Sequence, residues 1–258
     1  MRSAWAWRLA AGFLSVAAIP AALADDHPFE LTSGSTQTTL VELFTSEGCS
    51  SCPAADAWLA KLDGSPRLWR ELIPIALHVD YWDRLGWQDR LARPEFTLRQ
   101  RAYAKSWGAD LVATPTVVVN GAGWEEWLRG EPVPAPSLGE VGVLRVARAG
   151  ADVFEVRFAP AFLKEREFHA HGALLGFGLT TDVKGGENKG RQLRHEFAAL
   201  CYAQTSFQSG SEGLTASLPL AASPDQAASR TAVVFWVTAE DNAAPIQAVG
   251  GLLPTPSP

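Results

Sequence analysis

Cys49-Ser50-Ser51-Cys52 is the group of residues in this 258-residue chain whose types and spacing point most directly to chemistry. A thiol is a nucleophile only as its thiolate. The preceding run, Thr39-Leu40-Val41-Glu42-Leu43-Phe44, is short, apolar and β-rich, which predicts a strand. Thr45 to Gly48 turn the chain, and Cys52 to Leu62 fit a helix. Ala55, Trp58, Leu59 and Leu62 recur at helical spacing, Pro53 stands in the first turn and Gly64 ends it. Cys49 is therefore expected just before a helix, where unpaired N–H groups and the positive end of the helix dipole favour its thiolate. Cys52, one turn on, is placed to resolve a mixed disulfide formed at Cys49. The expected chemistry is thiol–disulfide exchange, with Cys49 as nucleophile and no diffusible cofactor. It requires both sulfurs at the mouth of the helix and not sealed beneath side chains.

Other uses of the pair are weaker. A structural disulfide gains most by closing a long loop, and this one closes a few residues. A zinc site needs two further ligands, and the sequence has no second cysteine pair, so no metal is assigned. Cys201, in the apolar run Ala198-Ala199-Leu200-Cys201-Tyr202, is expected as a buried free thiol. His169 and His171 share one face of an expected strand. Without a third ligand they are expected to pack rather than bind metal.

The elements around the pair predict an α/β fold. Leu72 to Val79 is a near-continuous apolar run, as in a buried parallel strand. Pro94 opens a second helix running to about Trp107, with Gly108 as its stop. Thr116 to Val119 is a further strand, the Asn120-Gly121 pair predicts a tight turn, and a strand is expected over Gly123 to Leu128. Strand–helix–strand crossovers followed by a hairpin imply a mixed four-stranded sheet with flanking helices in residues 25–130. Three prolines in residues 131–137 predict an extended linker. From residue 138 to 258 short strand-like runs separated by turn residues predict a mainly β, sandwich-like unit.

Several residues are expected to surround the dithiol. Thr114 and Pro115, before the third strand, are expected to form a substrate-facing wall, with a cis proline whose neighbouring backbone pairs with an extended partner. Glu42, if it faces the helix, would be a desolvated base for Cys52. His78, Asp80, Tyr81 and Trp82, at the carboxyl end of the second strand, are expected on the rim, where Trp82 and Trp87 would offer an apolar surface. Lys184 to Arg191 reads as a hairpin connection in which Glu187 pairs with Arg191.

The chain resembles the thioredoxin-like superfamily through Cys49-Ser50-Ser51-Cys52 and Ala113-Thr114-Pro115-Thr116. More narrowly it is similar to the exported bacterial family DUF1223. The matching stretches are 41–53, 78–87, Pro94-Glu95-Phe96, 99–103 and Gly186-Glu187-Asn188-Lys189-Gly190-Arg191. The resemblance implies a thioredoxin-like domain but no established activity. It departs from thioredoxins in having Ser50-Ser51 between the cysteines and the Pro-rich segment in place of a closing helix. A binding module with a static disulfide is one alternative it leaves. A copper-handling protein using Cys49, Cys52 and His78 is another, although Met1 is the sole methionine.

Arg2 and Arg8, the apolar run Leu9 to Ile19 and Ala22-Leu23-Ala24 predict a signal peptide over residues 1–24 and a protein exported to the periplasm or beyond. Net charge is −6. An acidic chain without a basic cluster argues against nucleic acid. The expected partner is a protein thiol or disulfide, with no membrane span.

Overall fold

The computed structural model describes residues 29–162, 167–210, 213–221 and 228–254. The expected signal peptide lies outside them. Among the described residues the protein is α/β but mostly β, with two α-helices. No helix among them is long and apolar enough to cross a membrane.

β1 (Glu30–Thr32) precedes β2 (Thr39–Thr45), α1 (Cys52–Ala60), β3 (Leu72–His78), α2 (Pro94–Ser106), β4 (Thr116–Val119) and the two-residue β5 (Ala122–Gly123). The β-rich half contributes β6 (Gly142–Arg148), β7 (Val153–Pro160), β8 (Phe168–Phe177), β9 (Leu179–Asp182), β10 (Gln192–His195), β11 (Ala198–Ser206), β12 (Gln208–Gly210), β13 (Gly213–Pro219), β14 (Arg230–Ala239) and β15 (Pro245–Leu252).

The expected mixed sheet is present, but it has eight strands rather than four, in the order β15-β14-β8-β11-β3-β2-β4-β5. β2 is parallel to β3 and antiparallel to β4. The sheet crosses the boundary placed at residues 131–137 because β11 runs parallel to β3, pairing Ala198 with Ala76. Without β11 the apolar edge of β3 would be open to strand addition. Pro74 is tolerated within β3 because the seam with β11 starts beyond it. The N–H of Ala76 donates to the Phe197 carbonyl at 2.9 Å, and two residues earlier, where proline has no N–H, β11 has not yet begun.

The sandwich is there, but one of its two sheets is this shared sheet. The other is β1-β6-β7-β13-β12. Phe154, Val156 and Phe158 alternate inward from β7 and pack with Leu174, Val233 and Phe235. Residues 131–137 have no regular structure, yet they are strapped down rather than a free spacer. Val133 joins the first core, and the Arg67 guanidinium donates to the carbonyls of Val133 and Pro134, each at 2.7 Å. The strand expected over 123–128 stops at Gly123. The Asn120-Gly121 hairpin (φ 48° and 88°) closes as expected. A helical turn at Glu126–Arg129 follows, and Trp124 and Trp127 both pack on Trp58 of α1.

Candidate functional site

The end of β2 delivers Cys49, and α1 starts at Cys52. Pro53 sits in the first helical turn, where its missing N–H costs nothing. The two sulfurs form a disulfide with Cα atoms 5.4 Å apart, in the place the sequence predicts. The Ser51 hydroxyl, which does not cap the helix, reaches the Cys49 sulfur at 3.3 Å. The carbonyl of Thr114 lies 3.6 Å from the same sulfur, and the Thr114–Pro115 peptide is cis. Trp82 donates its indole N–H to the Thr114 hydroxyl at 2.8 Å and packs against Gly48. Cys49, Cys52, Trp82, Thr114 and Pro115 are thus brought together.

Access differs from expectation. Cys49 is 1% exposed and Cys52 0%. The second half of the chain bonds to the main chain of this turn. β9 and β10 pair as an antiparallel hairpin, so the expected connection over Lys184 to Arg191 joins them, and its tip bonds to the cysteine turn. Asn188, fully buried, donates its amide to the carbonyls of Glu47 and Cys49 at 2.9 and 2.8 Å. Glu187 does not pair with Arg191. Its Oε2 accepts the Ser50 N–H at 2.9 Å, while Arg191 donates to Asn188 Oδ1 at 2.7 Å. A Cβ on Gly185 would stand 2.2 Å from the Gly86 carbonyl oxygen, so the connection is pressed onto the Gly86–Trp87 backbone.

Beneath the turn lies a buried charged network that sequence reasoning missed. Glu47 accepts from Trp87 Nε1 at 2.7 Å and pairs with His195 Nε2 at 3.1 Å. Asp89 accepts from the Glu47 N–H at 2.9 Å and pairs with His78 Nδ1 at 2.7 Å. The two imidazoles meet edge to face at 4.8 Å between centroids. Burial alone would lower the His78 pKa, but the facing Asp89 carboxylate overrides it and raises it to about 9. Burial likewise pushes Asp89 up, and His78 outweighs it, drawing Asp89 down to about 2. On α1, four residues past Cys52, burial pushes the Asp56 carboxyl up against the pull of both histidines. Alternating types near a turn gave no sign of this network, because its partners are remote in sequence.

Glu42 is not beneath the dithiol. It is buried on the α2 face of β2, paired with Arg99 Nε at 2.5 Å and with the Tyr103 hydroxyl. Thr45, an odd number of residues away and so on the other face, is the β2 residue that neighbours Asp56. The alternation of β2 therefore puts Glu42 on the face opposite Thr45. The rim residues also separate. His78 is fully buried, Asp80 is tied to Thr97 of α2 at 2.5 Å, and Tyr81 is half-buried with burial raising its phenol.

His169 and His171 do share a face. His171 is held at both nitrogens, by Tyr202 and Thr238, and burial keeps its pKa well below the ordinary value. No group of three His, Cys, Asp or Glu among the described residues is arranged to hold a metal. Cys201 is free and half-buried rather than sealed, at a bulge in β11, and burial pushes its thiol up.

Beside the cysteine turn runs a groove of about 1290 Å³, lined among others by Ser50, Ser51, Pro115, Trp58, Trp124 and Trp127.

The sequence family described as a protein of unknown function (DUF1223) matches residues 40–238. A protein of Agrobacterium tumefaciens known from an X-ray crystal structure is similar at 24% identity and a TM-score of 0.57, over 88% of this chain and 98% of that one. HBP35 of Porphyromonas gingivalis is similar at 14% identity and a TM-score of 0.55, over 88% of this chain and 79% of that one. Both likenesses are of fold. No curated protein matches the chain.

Proposed function

The chain belongs to the DUF1223 family, and from that premise we propose that it is an exported thiol–disulfide oxidoreductase acting on protein disulfides or dithiols. The observation that carries the reading is the Cys49–Cys52 disulfide at the start of α1, with the Thr114 carbonyl against the Cys49 sulfur. The thioredoxin-like assignment of this part is supported by the run β3-β2-β4-β5, its parallel and antiparallel pairs, and the two helices. Cys49 is the nucleophile, Cys52 resolves, and Thr114 and Pro115 form the wall against which the partner lies. The groove beside that wall is where an extended partner would lead in. Export is supported by the signal-peptide pattern of residues 1–24, and an oxidising compartment suits the pair.

Exchange on this site requires the Cys49 sulfur to become exposed. Replacing Cys52 with Ser in the exported protein is expected to trap mixed disulfides through Cys49. Absence of any trapped partner after acid quenching and alkylation overturns the reading.

The burial of both sulfurs favours a second reading, a binding module whose disulfide is static. Equilibration with glutathione separates the two. An exchanging pair reaches a measurable dithiol fraction, and a static one stays oxidised until the protein unfolds.

A further inference from the structure

Glu187 is exposed, and its contact with the cysteine turn has no part in the exchange steps above. Its carboxylate accepts the N–H of Ser50, the residue that follows Cys49. N–H groups and the positive end of a helix are what stabilise a thiolate in this position. Glu187 takes the N–H that adjoins Cys49 and brings a full negative charge to the cysteine turn. The Ser50 hydroxyl, and after it the Ser50 N–H, hold the Glu187 carboxyl below its ordinary pKa, so the charge persists at neutral pH. The Thr114 carbonyl oxygen, 3.6 Å from the Cys49 sulfur, opposes a thiolate as well. The Ser51 hydroxyl at 3.3 Å works the other way, but it is a dipole set against a charge. Of the cations in this connection, Lys184 pairs with Asp182, Arg191 is directed to Asn188 Oδ1 and Lys189 is exposed.

We propose that Glu187 is a positioning residue that disfavours the Cys49 thiolate and so makes the dithiol a reductant of partner protein disulfides. This rests on the exchange reading and adds the direction of electron flow. Destabilising the thiolate destabilises the reduced pair relative to the disulfide, which lowers its reduction potential. In the forward reaction the Cys49 thiolate attacks one sulfur of the partner's disulfide. That bond breaks, and the departing sulfur takes the electron pair and then a proton. Cys52, giving up its proton, attacks Cys49 in the mixed disulfide. The Cys49–Cys52 bond forms and the partner's second sulfur leaves as a thiol. The partner gains two electrons, the pair loses two, and a dithiol donor must return them by the reverse steps. The cost of reducing the pair beside Glu187 is met by that donor.

The test uses the full chain and glutathione as the probe. Glu187→Gln keeps an oxygen for the Ser50 N–H and removes only the charge. Measured at a pH above the Cys49 thiol pKa, it is expected to shift the glutathione equilibrium toward the dithiol by about threefold to tenfold, and to lower the Cys49 thiol pKa, read from thiolate absorbance. The shift is expected to shrink at high salt, which a purely structural role would not produce. Glu187→Ala, which also frees the N–H, is expected to shift it at least as far. Because Glu187 is exposed, both variants are expected to unfold at the wild-type denaturant midpoint. An equilibrium within twofold of wild type, or displaced toward the disulfide, overturns the proposal while leaving exchange intact. A wild-type pair that never equilibrates with glutathione removes the exchange reading and this proposal together.

Discussion

The side-chain amide of Asn188 donates to the main-chain carbonyl of Cys49 at 2.8 Å across 139 residues of chain. The same amide reaches Glu47, so one buried side chain from the β9–β10 connection holds both ends of the turn that presents the disulfide. The candidate site is therefore built by both halves of the protein.

Asn188→Ala is expected to cost about 1–3 kcal/mol of stability, because two buried carbonyls lose a donor. Only part of this is recoverable, since the Cys52 N–H still reaches the Cys49 carbonyl at 3.3 Å. Denaturant unfolding checks it. A loss below a few tenths of a kcal/mol would show the cover to be held by other contacts.

Gly185→Ala puts a methyl 2.2 Å from the Gly86 carbonyl oxygen. Backbone lies on both sides, so the connection must lift. The expected result is a loss of about 1–3 kcal/mol together with faster reduction of the disulfide by dithiothreitol under native conditions. Slower or unchanged reduction would mean that residues 183–191 do not control access.

The pair His78–Asp89 predicts a pH window. His78 rises from 6.5 to about 9 on folding, so its contribution is complete below pH 6.5 and is lost as pH climbs through 9. Asp89 falls from 3.8 to about 2, so its contribution is complete above pH 3.8 and is lost as pH drops toward 2. Thermal midpoints should hold between those limits and decline on either side. Asp89→Asn should flatten both limbs while lowering the midpoint throughout, as removal of one partner of a buried pair costs about 3–5 kcal/mol. Retention of the alkaline decline in that variant would assign it to other groups.

Glu42→Gln is expected to destabilise the fold by a similar margin, about 3–5 kcal/mol, because it leaves Arg99 buried without its carboxylate. The glutathione equilibrium of the Cys49–Cys52 pair should stay as it is, since Glu42 faces α2 on the other side of β2. A changed equilibrium would place Glu42 in the redox chemistry after all.

Local sequence determined the parts of this protein whose partners are near in the chain. The apolar run of β2, Pro53 and the helical spacing in α1, Pro94 at the start of α2 and the Asn120-Gly121 hairpin each carry their own signal. They fix the disulfide at the head of α1 without further help. The short strand-like run that becomes β7 is likewise a local signal. Tertiary structure decided what depends on pairing across long loops. The parallel seam between β3 and β11 has no local signature, because either edge could meet any apolar strand. Whether Glu42 meets α1 or α2 turned on the pleat of β2, where a slip of one flips the face of a strand. Glu187 and Asn188 sit in a connection whose residues read as an ordinary turn. Only folding sets them on Ser50 and Cys49 and closes the disulfide from solvent.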